Sequence, residues 1–240
     1  MANPAADPQP VEDVQGDNRW MDLHNAFIVE SKEREPEVLF LGDSLLADLQ
    51  QTEIWSQMFE PLHCVNFSIG GDQTQNLLWR IKNGELDNMQ PKVIVLLIGT
   101  NNHNHTAEQV AGGIMEIVRT INNKQPQAQL IVVGLLPRGE KPNSLREKFA
   151  VINKSIEEQL SNIPSTTFLN VDPALFYRPG SETISRRDMW DFLHLTTRGY
   201  QKLCEVLLEE LQSLLQNYMK VESTSVETAS MAGELASDEP

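Results

Sequence analysis

A serine, an aspartate and a histidine have the residue types and spacing of an acyl-transfer site. Ser44 follows the apolar run VLFL within EVLFLGDSLLADLQ, and Asp191 precedes His194 by three residues in DMWDFLHLTTRGY. Residues three apart in a helical turn share a face, so Asp191 can accept from one imidazole nitrogen while the other faces Ser44. We therefore predict Ser44 as nucleophile, His194 as general base and Asp191 as the group that orients the imidazole.

Each of these residues also has an ordinary structural interpretation. Ser44 could cap a helix, because Asp and Ser are preferred at that position, and His194 could be a core or capping histidine. Asp43 is interpreted as a loop-tying residue and not as the catalytic carboxylate. Gly42 is expected to let the chain turn tightly between a strand and a helix.

Donors for an oxyanion are predicted in three separate places. They are the backbone N–H groups of Ser44 and Gly71 and the side-chain amide of Asn101, which lies in IGTNN. The alternatives are that Gly70 and Gly71 form an ordinary turn and that the asparagines cap their own loop. Together the clusters favour a site, because each follows a predicted strand.

Three neighbours of these residues are expected to wall the acyl side of the site. They are Leu45, Thr100 and Leu193, each adjacent in sequence to a predicted site residue. Apolar walls so close to the reacting carbon favour a small acyl group such as acetyl.

Other reactive side chains receive weaker interpretations. His103 and His105 are two residues apart but have no third clustered ligand, so we predict no metal and no cofactor. Arg138 and Arg146 could bind an anion, although a solvated loop is favoured. The tryptophans are interpreted as core or interface packing: Trp20, Trp55, Trp79 and Trp190.

Short apolar runs alternate with segments of helical spacing along the chain. The predicted strands are 38–41, 65–69, 93–98, 130–136 and 167–171, and the predicted helices are 45–58, 73–83, 107–123, 146–162 and 197–218. This alternation predicts a doubly wound, flavodoxin-like α/β fold, a three-layer α/β/α sandwich with a five-stranded parallel sheet of order 2-1-3-4-5. Thr106 and Gln109 predict a capping box, and Gly112-Gly113 within the helix predicts a close packing contact.

Composition predicts one domain between two acidic tails. The net charge of −15 includes four acidic and no basic residues in 1–18, and five acidic and no basic residues in 221–240, which leaves −6 on residues 19–220. We expect a flexible acidic tail at 1–18, a hydrolase domain at 19–220 and a disordered acidic tail at 221–240. The acidic body argues against nucleic-acid and anionic-membrane partners.

The expected compartment follows from what the chain lacks. It has no basic start followed by an apolar run, and no apolar stretch of the roughly 18 to 20 residues that span a bilayer. Cys64 and Cys204 are too few for a disulfide framework and predict reduced, buried thiols. We therefore expect a cytoplasmic protein without stable membrane insertion.

At these residues the chain resembles the GDSL or SGNH hydrolases. The resemblance is carried by FLGDSL, NFSIGGD, IGTNN and DFLH, which contain Ser44, Gly71, Asn101 and the Asp191–His194 pair. It is closer still to the catalytic α subunits of platelet-activating factor acetylhydrolase type Ib, along stretches such as LLWRIKNGEL and VGLLPRGEKPN.

This resemblance implies an activity and partners that spacing alone does not give. The family implies a Ser-Asp-His triad that removes a short sn-2 acetyl group from an ether phospholipid. It also implies homo- or heterodimers of catalytic subunits that associate with a WD40-repeat regulatory subunit. The alternatives are an esterase for other small acetyl esters, and a module whose main task is docking the WD40 partner.

Overall fold

The sheet has the strand order that the sequence predicts. The computed structural model describes residues 2–235, with side chains described as far as residue 225. Five parallel strands pair in the order β2-β1-β3-β4-β5. Their bounds are β1 Val38–Gly42, β2 Cys64–Asn66, β3 Val93–Leu97, β4 Gln129–Val133 and β5 Thr166–Leu169. The carboxyl ends of all five therefore meet at one edge, where such sheets bind ligands.

In the described part of the chain, six α-helices flank this sheet. They are α1 Arg19–Glu33, α2 Ser44–Leu49, α3 Thr74–Arg80, α4 Ala107–Lys124, α5 Ser144–Leu160 and α6 Thr197–Leu235. Thr106 and Gln109 form the predicted capping box of α4, and Asn143 caps α5 by accepting from the N–H groups of Leu145 and Arg146. Helix α2 ends at Leu49, well before the predicted residue 58, and a π-helical turn follows at Trp55–Phe59.

Four of the five apolar runs that predict strands are buried from end to end. Every residue of β1, β2 and β3 is buried, whereas β5, at the sheet edge, is half-buried throughout. Continuous burial is typical of parallel strands covered by helices on both faces. Cys64 and Cys204 are buried, unpaired thiols in this core.

Helix α1 is an element that the sequence reading missed. Its buried residues are Trp20, His24 and Ser31, and the Phe27 ring stacks on Phe67 at 4.7 Å. These four residues fall on one helical stripe, but two of them are polar. An apolar-periodicity criterion therefore passes over the segment.

Asn3 and Ala5 pack against α3 and α4, although they belong to the segment 1–18 for which a flexible tail is expected. Ala5 is fully buried, the Thr74 hydroxyl donates to its carbonyl at 2.7 Å, and the Asn3 amide donates to the Gln109 carbonyl at 2.9 Å. A Cβ added at Gly113 would collide with the Ala5 carbonyl oxygen. The glycine pair thus has the predicted packing reason, but its neighbour is the N-terminal segment and not the sheet.

Helix α6 continues into the region where a disordered tail was expected. Residues 221–235 extend the helix, and residues 236–240 lie outside the described part of the chain. No Gly or Pro interrupts residues 200–232, so nothing local ends the helix at residue 220. Glu222 reaches Lys92 at 3.6 Å, and the Ser223 hydroxyl donates to the Lys220 carbonyl. Within the described residues, no helix has the length and apolarity that crossing a bilayer requires.

Gly113→Ala should destabilise the protein even though alanine is the better helix former. Alanine gains about 1 kcal/mol of helix propensity, but overpacking against the Ala5 carbonyl and against Thr74 Oγ1, 2.7 Å from the added Cβ, costs about 1–3 kcal/mol. We expect a net loss of about 1 kcal/mol in the free energy of unfolding, measured with urea.

Gly112→Ala is the matched control for this substitution. Its added Cβ meets the Asn3 side-chain amide at 2.6 Å, and that flexible group can move aside. We expect this variant to be at least as stable as the wild type. A Gly113→Ala protein as stable as Gly112→Ala would contradict the packing explanation.

Candidate active site

Ser44, His194 and Asp191 form a continuous hydrogen-bonded chain. The Ser44 Oγ lies 3.2 Å from His194 Nε2, and His194 Nδ1 lies 2.6 Å from an Asp191 carboxylate oxygen. The three side chains come from the end of β1 and from the loop before α6. With Nδ1 donating to the carboxylate, Nε2 is free to accept the serine proton, which is the arrangement that nucleophilic acyl transfer needs.

Ser44 is the first residue of α2, and its hydroxyl does not cap the helix. Asp43 is the N-cap, because its side chain accepts from the Leu45 N–H at 3.0 Å. The Tyr200 hydroxyl, from α6, donates to the Leu45 carbonyl at 2.7 Å and fixes the same turn. A Cβ on Gly42 would collide with the Leu97 carbonyl of β3, so this glycine serves close strand packing and not a positive-φ turn.

The segment from Asp191 to His194 is a tight turn, where the sequence suggested a helical one. One Asp191 oxygen accepts from the backbone N–H groups of Leu193 and His194, at 3.1 and 2.7 Å. Phe192 adopts a left-handed conformation with φ of 63°, which folds His194 back toward the carboxylate. Burial opposes ionisation of Asp191, but hydrogen bonds from His194 and Leu193 outweigh it and hold its pKa below the ordinary value.

The predicted oxyanion donors lie on two loops beside Ser44. A Cβ on Gly70 would come within 3.7 Å of the Ser44 Cβ, and Gly71 has a positive φ of 84° that suits glycine. The Asn101 amide nitrogen donates to the Asp72 carbonyl at 3.0 Å, which joins the loops after β2 and β3. Their role as oxyanion donors stays a prediction.

The predicted acyl-wall residues differ in accessibility. Leu45 is 1 % exposed and Thr100 is 3 % exposed, whereas Leu193 is half-buried. Leu193 is therefore the wall candidate with the most exposed surface. The acyl pocket also stays a prediction.

A buried ionic cluster beneath these loops escaped the sequence reading. Arg80 donates to Asp72 at 2.9 Å and to Glu85 at 2.6 Å, and all three side chains are fully buried. Trp20 donates to Asp72 at 2.7 Å, and His24 lies 2.8 Å from Glu85. Burial disfavours the charged guanidinium, but the two carboxylates outweigh it and raise the pKa of Arg80, so it stays charged.

Asp43 is a second buried carboxyl group beside Ser44. It is 1 % exposed, and one of its oxygens has no hydrogen-bond partner among the described residues. Burial raises its pKa to about 7, although the Leu45 N–H partly opposes this. Asp43 caps α2, and it does not tie the loops together as the sequence suggested.

The remaining candidates take positions that the sequence only partly anticipates. His105 Nδ1 lies 2.9 Å from the Asn102 amide, and no group of three potential metal ligands occurs among the described residues. Arg146 is half-buried and is held by the protein, because it donates to the carbonyls of Gly139, Glu140 and Glu182.

The four tryptophans do not share one environment. Trp20 and Trp55 are buried, and Trp79 is half-buried against Trp20. Trp190 is 59 % exposed and stacks on the His194 ring at 5.8 Å, so it belongs to the site surface and not to the core.

Comparison with known proteins gives a family match and close relatives. The model of the GDSL-like lipase/acylhydrolase family matches residues 40–202. Platelet-activating factor acetylhydrolase IB subunit alpha2 of Homo sapiens is 52 % identical over 225 residues, covering 94 % of this chain and 97 % of that protein. The alpha1 subunit of Rattus norvegicus is 53 % identical over 213 residues, covering 89 % of this chain and 91 % of that protein.

Solved structures share the fold at lower identity. A GDSL-like lipase from Bacteroides thetaiotaomicron aligns with a TM-score of 0.66 at 17 % identity, covering 81 % of this chain and 98 % of that one. An acetylxylan esterase from Geobacillus stearothermophilus aligns with a TM-score of 0.57 at 16 % identity, covering 75 % of this chain and 95 % of that one.

Asp43→Asn should gain stability relative to the wild type as the pH rises. The unfolded chain ionises Asp43 near pH 3.8 and the folded chain near pH 7, so between these values the unfolded state binds fewer protons. The wild type therefore loses stability with rising pH, whereas the neutral amide of the variant keeps the cap acceptor without this loss.

Urea unfolding of both proteins at pH 4.5 and pH 8 measures the effect. We expect the difference in free energy of unfolding to move in favour of Asp43→Asn by about 3 kcal/mol. The same difference at both pH values would show that Asp43 ionises normally in the folded protein.

Proposed function

Because the chain belongs to the GDSL-like lipase/acylhydrolase family, whose members are esterases, we propose that it is a serine esterase that removes a short sn-2 acetyl group from platelet-activating-factor-like ether phospholipids. The observation that carries the proposal is the hydrogen-bonded chain from Ser44 Oγ through His194 to Asp191. The relatives named platelet-activating factor acetylhydrolase IB support the choice of substrate.

In the first half-reaction Ser44 becomes acetylated. Its Oγ attacks the acetyl carbonyl carbon while its proton passes to His194 Nε2. The ester C–O bond then breaks, and His194 returns the proton to the departing alcohol oxygen. In the second half-reaction, water attacks the acetyl carbon and gives one proton to His194. The acetyl C–Oγ bond then breaks, His194 returns that proton to Ser44 Oγ, and acetic acid leaves and ionises to acetate.

Asp191 and the oxyanion donors stabilise charges that exist only during the reaction. The Asp191 carboxylate, held ionised by its hydrogen bonds, fixes the imidazole tautomer and stabilises the imidazolium. Negative charge on the former carbonyl oxygen would meet the N–H groups of Ser44 and Gly71 and the Asn101 amide. One such donor is typically worth about 3 kcal/mol of transition-state stabilisation.

A partly apolar groove supports a leaving alcohol with an alkyl chain. A cavity of about 490 Å³ lies between the N-terminal segment and the loop that carries Gly71. Its walls include the apolar side chains Val11, Val14, Trp20 and Ile69, and also the charged side chains Glu12, Asp13, Asp17 and Arg19. Such a groove can bury alkyl surface at about 25 cal/mol per Å² while the ester lies at Ser44.

The proposed partners follow from the relatives. Because those relatives are named subunits, we propose that this chain forms dimers with a second copy or with a related catalytic subunit. The association of such dimers with a WD40-repeat subunit, which the family resemblance implies, is a further part of this proposal.

A fluorophosphonate probe tests the nucleophile directly. We expect one phosphonyl adduct per chain, located at Ser44 by mass spectrometry of the labelled peptide, because among the described residues only the Ser44 hydroxyl is hydrogen-bonded to His194. Ser44→Ala is the matched control and should remain unlabelled while it unfolds at the wild-type temperature. A probe adduct elsewhere, or equal labelling of the Ser44→Ala protein, refutes the proposal.

The acyl preference is tested with esters that differ only in chain length. Because Leu45 and Thr100 are almost fully buried, we expect kcat/KM for an acetyl ester to exceed that for the hexanoyl ester by at least about 10-fold. Leu193→Ala should lower that ratio, because the smaller side chain leaves more room for the longer acyl group. Equal kcat/KM values for the two esters in the wild type would exclude a small acyl pocket.

A further inference from the structure

Two cationic side chains, Arg138 and Lys148, hold the loop that follows β3. Neither forms an ion pair with a carboxylate among the described residues, although the charges of Asp191 and Asp43 act on Arg138 from the acyl-transfer site. Arg138 Nη1 donates to the Thr100 carbonyl at 2.9 Å and to the Thr100 hydroxyl at 3.4 Å. Lys148 Nζ donates to the Asn102 carbonyl at 3.2 Å. In a chain of net charge −15, two cations that contact neutral carbonyls instead of carboxylates call for an explanation.

These cations keep hydrogen-bond donors that the protein does not use. Within the described residues, neither Nε nor Nη2 of Arg138 has an acceptor, and Lys148 makes one hydrogen bond of the three that an ammonium can donate. A guanidinium with a free edge presents two parallel N–H groups, which match two oxygens of a phosphate. Free donors on half-buried cations are the chemistry of an anion site.

His103 lies in the same loop, and the charges of both cations act on it. Although the residue is largely exposed, partial burial of its ring and the positive charges of Arg138 and Lys148 lower the pKa of His103. Lys148 bonds to Asn102, the residue before His103, and Arg138 bonds to Thr100, three residues before it, so the three side chains lie along one short loop. A bound anion would oppose the effect of the two positive charges and would raise the pKa of His103.

This neighbourhood borders the acyl-transfer site. Gly139, next to Arg138, donates its N–H to the Phe192 carbonyl at 2.9 Å, within the turn that carries Asp191 and His194. On the other side, Thr100 directly precedes Asn101. An anion held by Arg138 would therefore lie beside the ester that reacts at Ser44.

We propose that Arg138, Lys148 and His103 form a subsite for the phosphate group of a phosphorylated alcohol ester. The part of this inference that concerns ester turnover rests on the proposed esterase function, whereas anion binding does not. A lipid phosphodiester and free phosphate share the oxyanion chemistry that the subsite recognises, so both serve as probes.

Binding is measured on Ser44→Ala, which removes turnover from the experiment. The His103 ring is followed by NMR while inorganic phosphate, or separately glycerophosphocholine, is added at constant ionic strength. We expect saturable shifts and a rise in the pKa of His103, with the diester binding more tightly if the site serves a lipid headgroup. Absence of saturation with both anions overturns the proposal.

Three further substitutions locate the site. Arg138→Gln and Lys148→Gln should each weaken anion affinity at least fivefold, and Arg138→Lys should recover part of the loss because it keeps the charge. Lys154→Gln is the matched control, since Lys154 is exposed on the same helix as Lys148, and it should bind as the parent does. Unchanged affinity in both glutamine variants overturns the assignment, and Lys148→Gln alone decides if Arg138→Gln does not fold.

Turnover of two matched esters separates recognition from a merely structural role. For Lys148→Gln we expect kcat/KM to fall at least tenfold with 1-alkyl-2-acetylglycerophosphocholine, mainly through KM, and less than threefold with 1-alkyl-2-acetylglycerol, which lacks phosphate. Equal losses on both esters overturn the subsite. A wild type that binds phosphate at His103 but cleaves neither ester rejects the esterase proposal and retains the anion site.

Discussion

The geometry of the site depends on one buried guanidinium. Arg80 has no exposed surface and is held by Asp72 and Glu85, and it also donates to the Phe67 carbonyl at 2.8 Å. Leaving such a charge without its partners costs about 3–5 kcal/mol, so the segments that carry the partners cannot separate without a large loss. Those segments are the loop after β2 and the turn after α3, and Trp20 and His24 of α1 join them by bonding to the same two carboxylates.

Asp72 connects the buried Arg80 ion pair to the groups that take part in the reaction. Its side chain binds Arg80 and Trp20, while its backbone carbonyl accepts from the Asn101 amide. The side chain that would donate to an oxyanion is therefore oriented by a residue whose own position is set by a buried ion pair. Gly71, the preceding residue, is fixed by the same anchor. Two of the three oxyanion candidates thus share one support, and the third, the Ser44 N–H, is placed by its helix.

The sequence predicts well where the signal is local. Buried parallel strands are continuous apolar runs, so all five strands and their order followed from short segments, and the capping box at Thr106 was visible as two residues. Ser44, Asp191 and His194 could be paired because strand ends share one edge of the sheet. The hydrogen bonds among them then agree with that pairing.

The sequence predicts poorly where the cause lies in distant residues. Arg80 and Glu85 look like surface charges in a helical segment, and only the folded chain brings Asp72, Trp20 and His24 to them. The N-terminal segment has no periodicity, yet it packs because Gly113 leaves room for the Ala5 carbonyl. Polar residues count against a buried helix in any hydrophobicity pattern, which explains why α1 was missed.

Asp43 shows how closely stability and chemistry are linked at the nucleophile. A carboxylate is a good helix cap, but here burial leaves one of its oxygens without a partner and raises its pKa to about 7. When ionised, it places a negative charge one residue from the serine where an oxyanion would develop, and that charge opposes the donors. When Asp43 is protonated, this repulsion is absent.

His194 must be deprotonated where Asp43 is best protonated, because the imidazole can accept the serine proton only in its neutral form. The reaction therefore needs a neutral imidazole next to a carboxyl group that burial keeps protonated up to a pH of about 7.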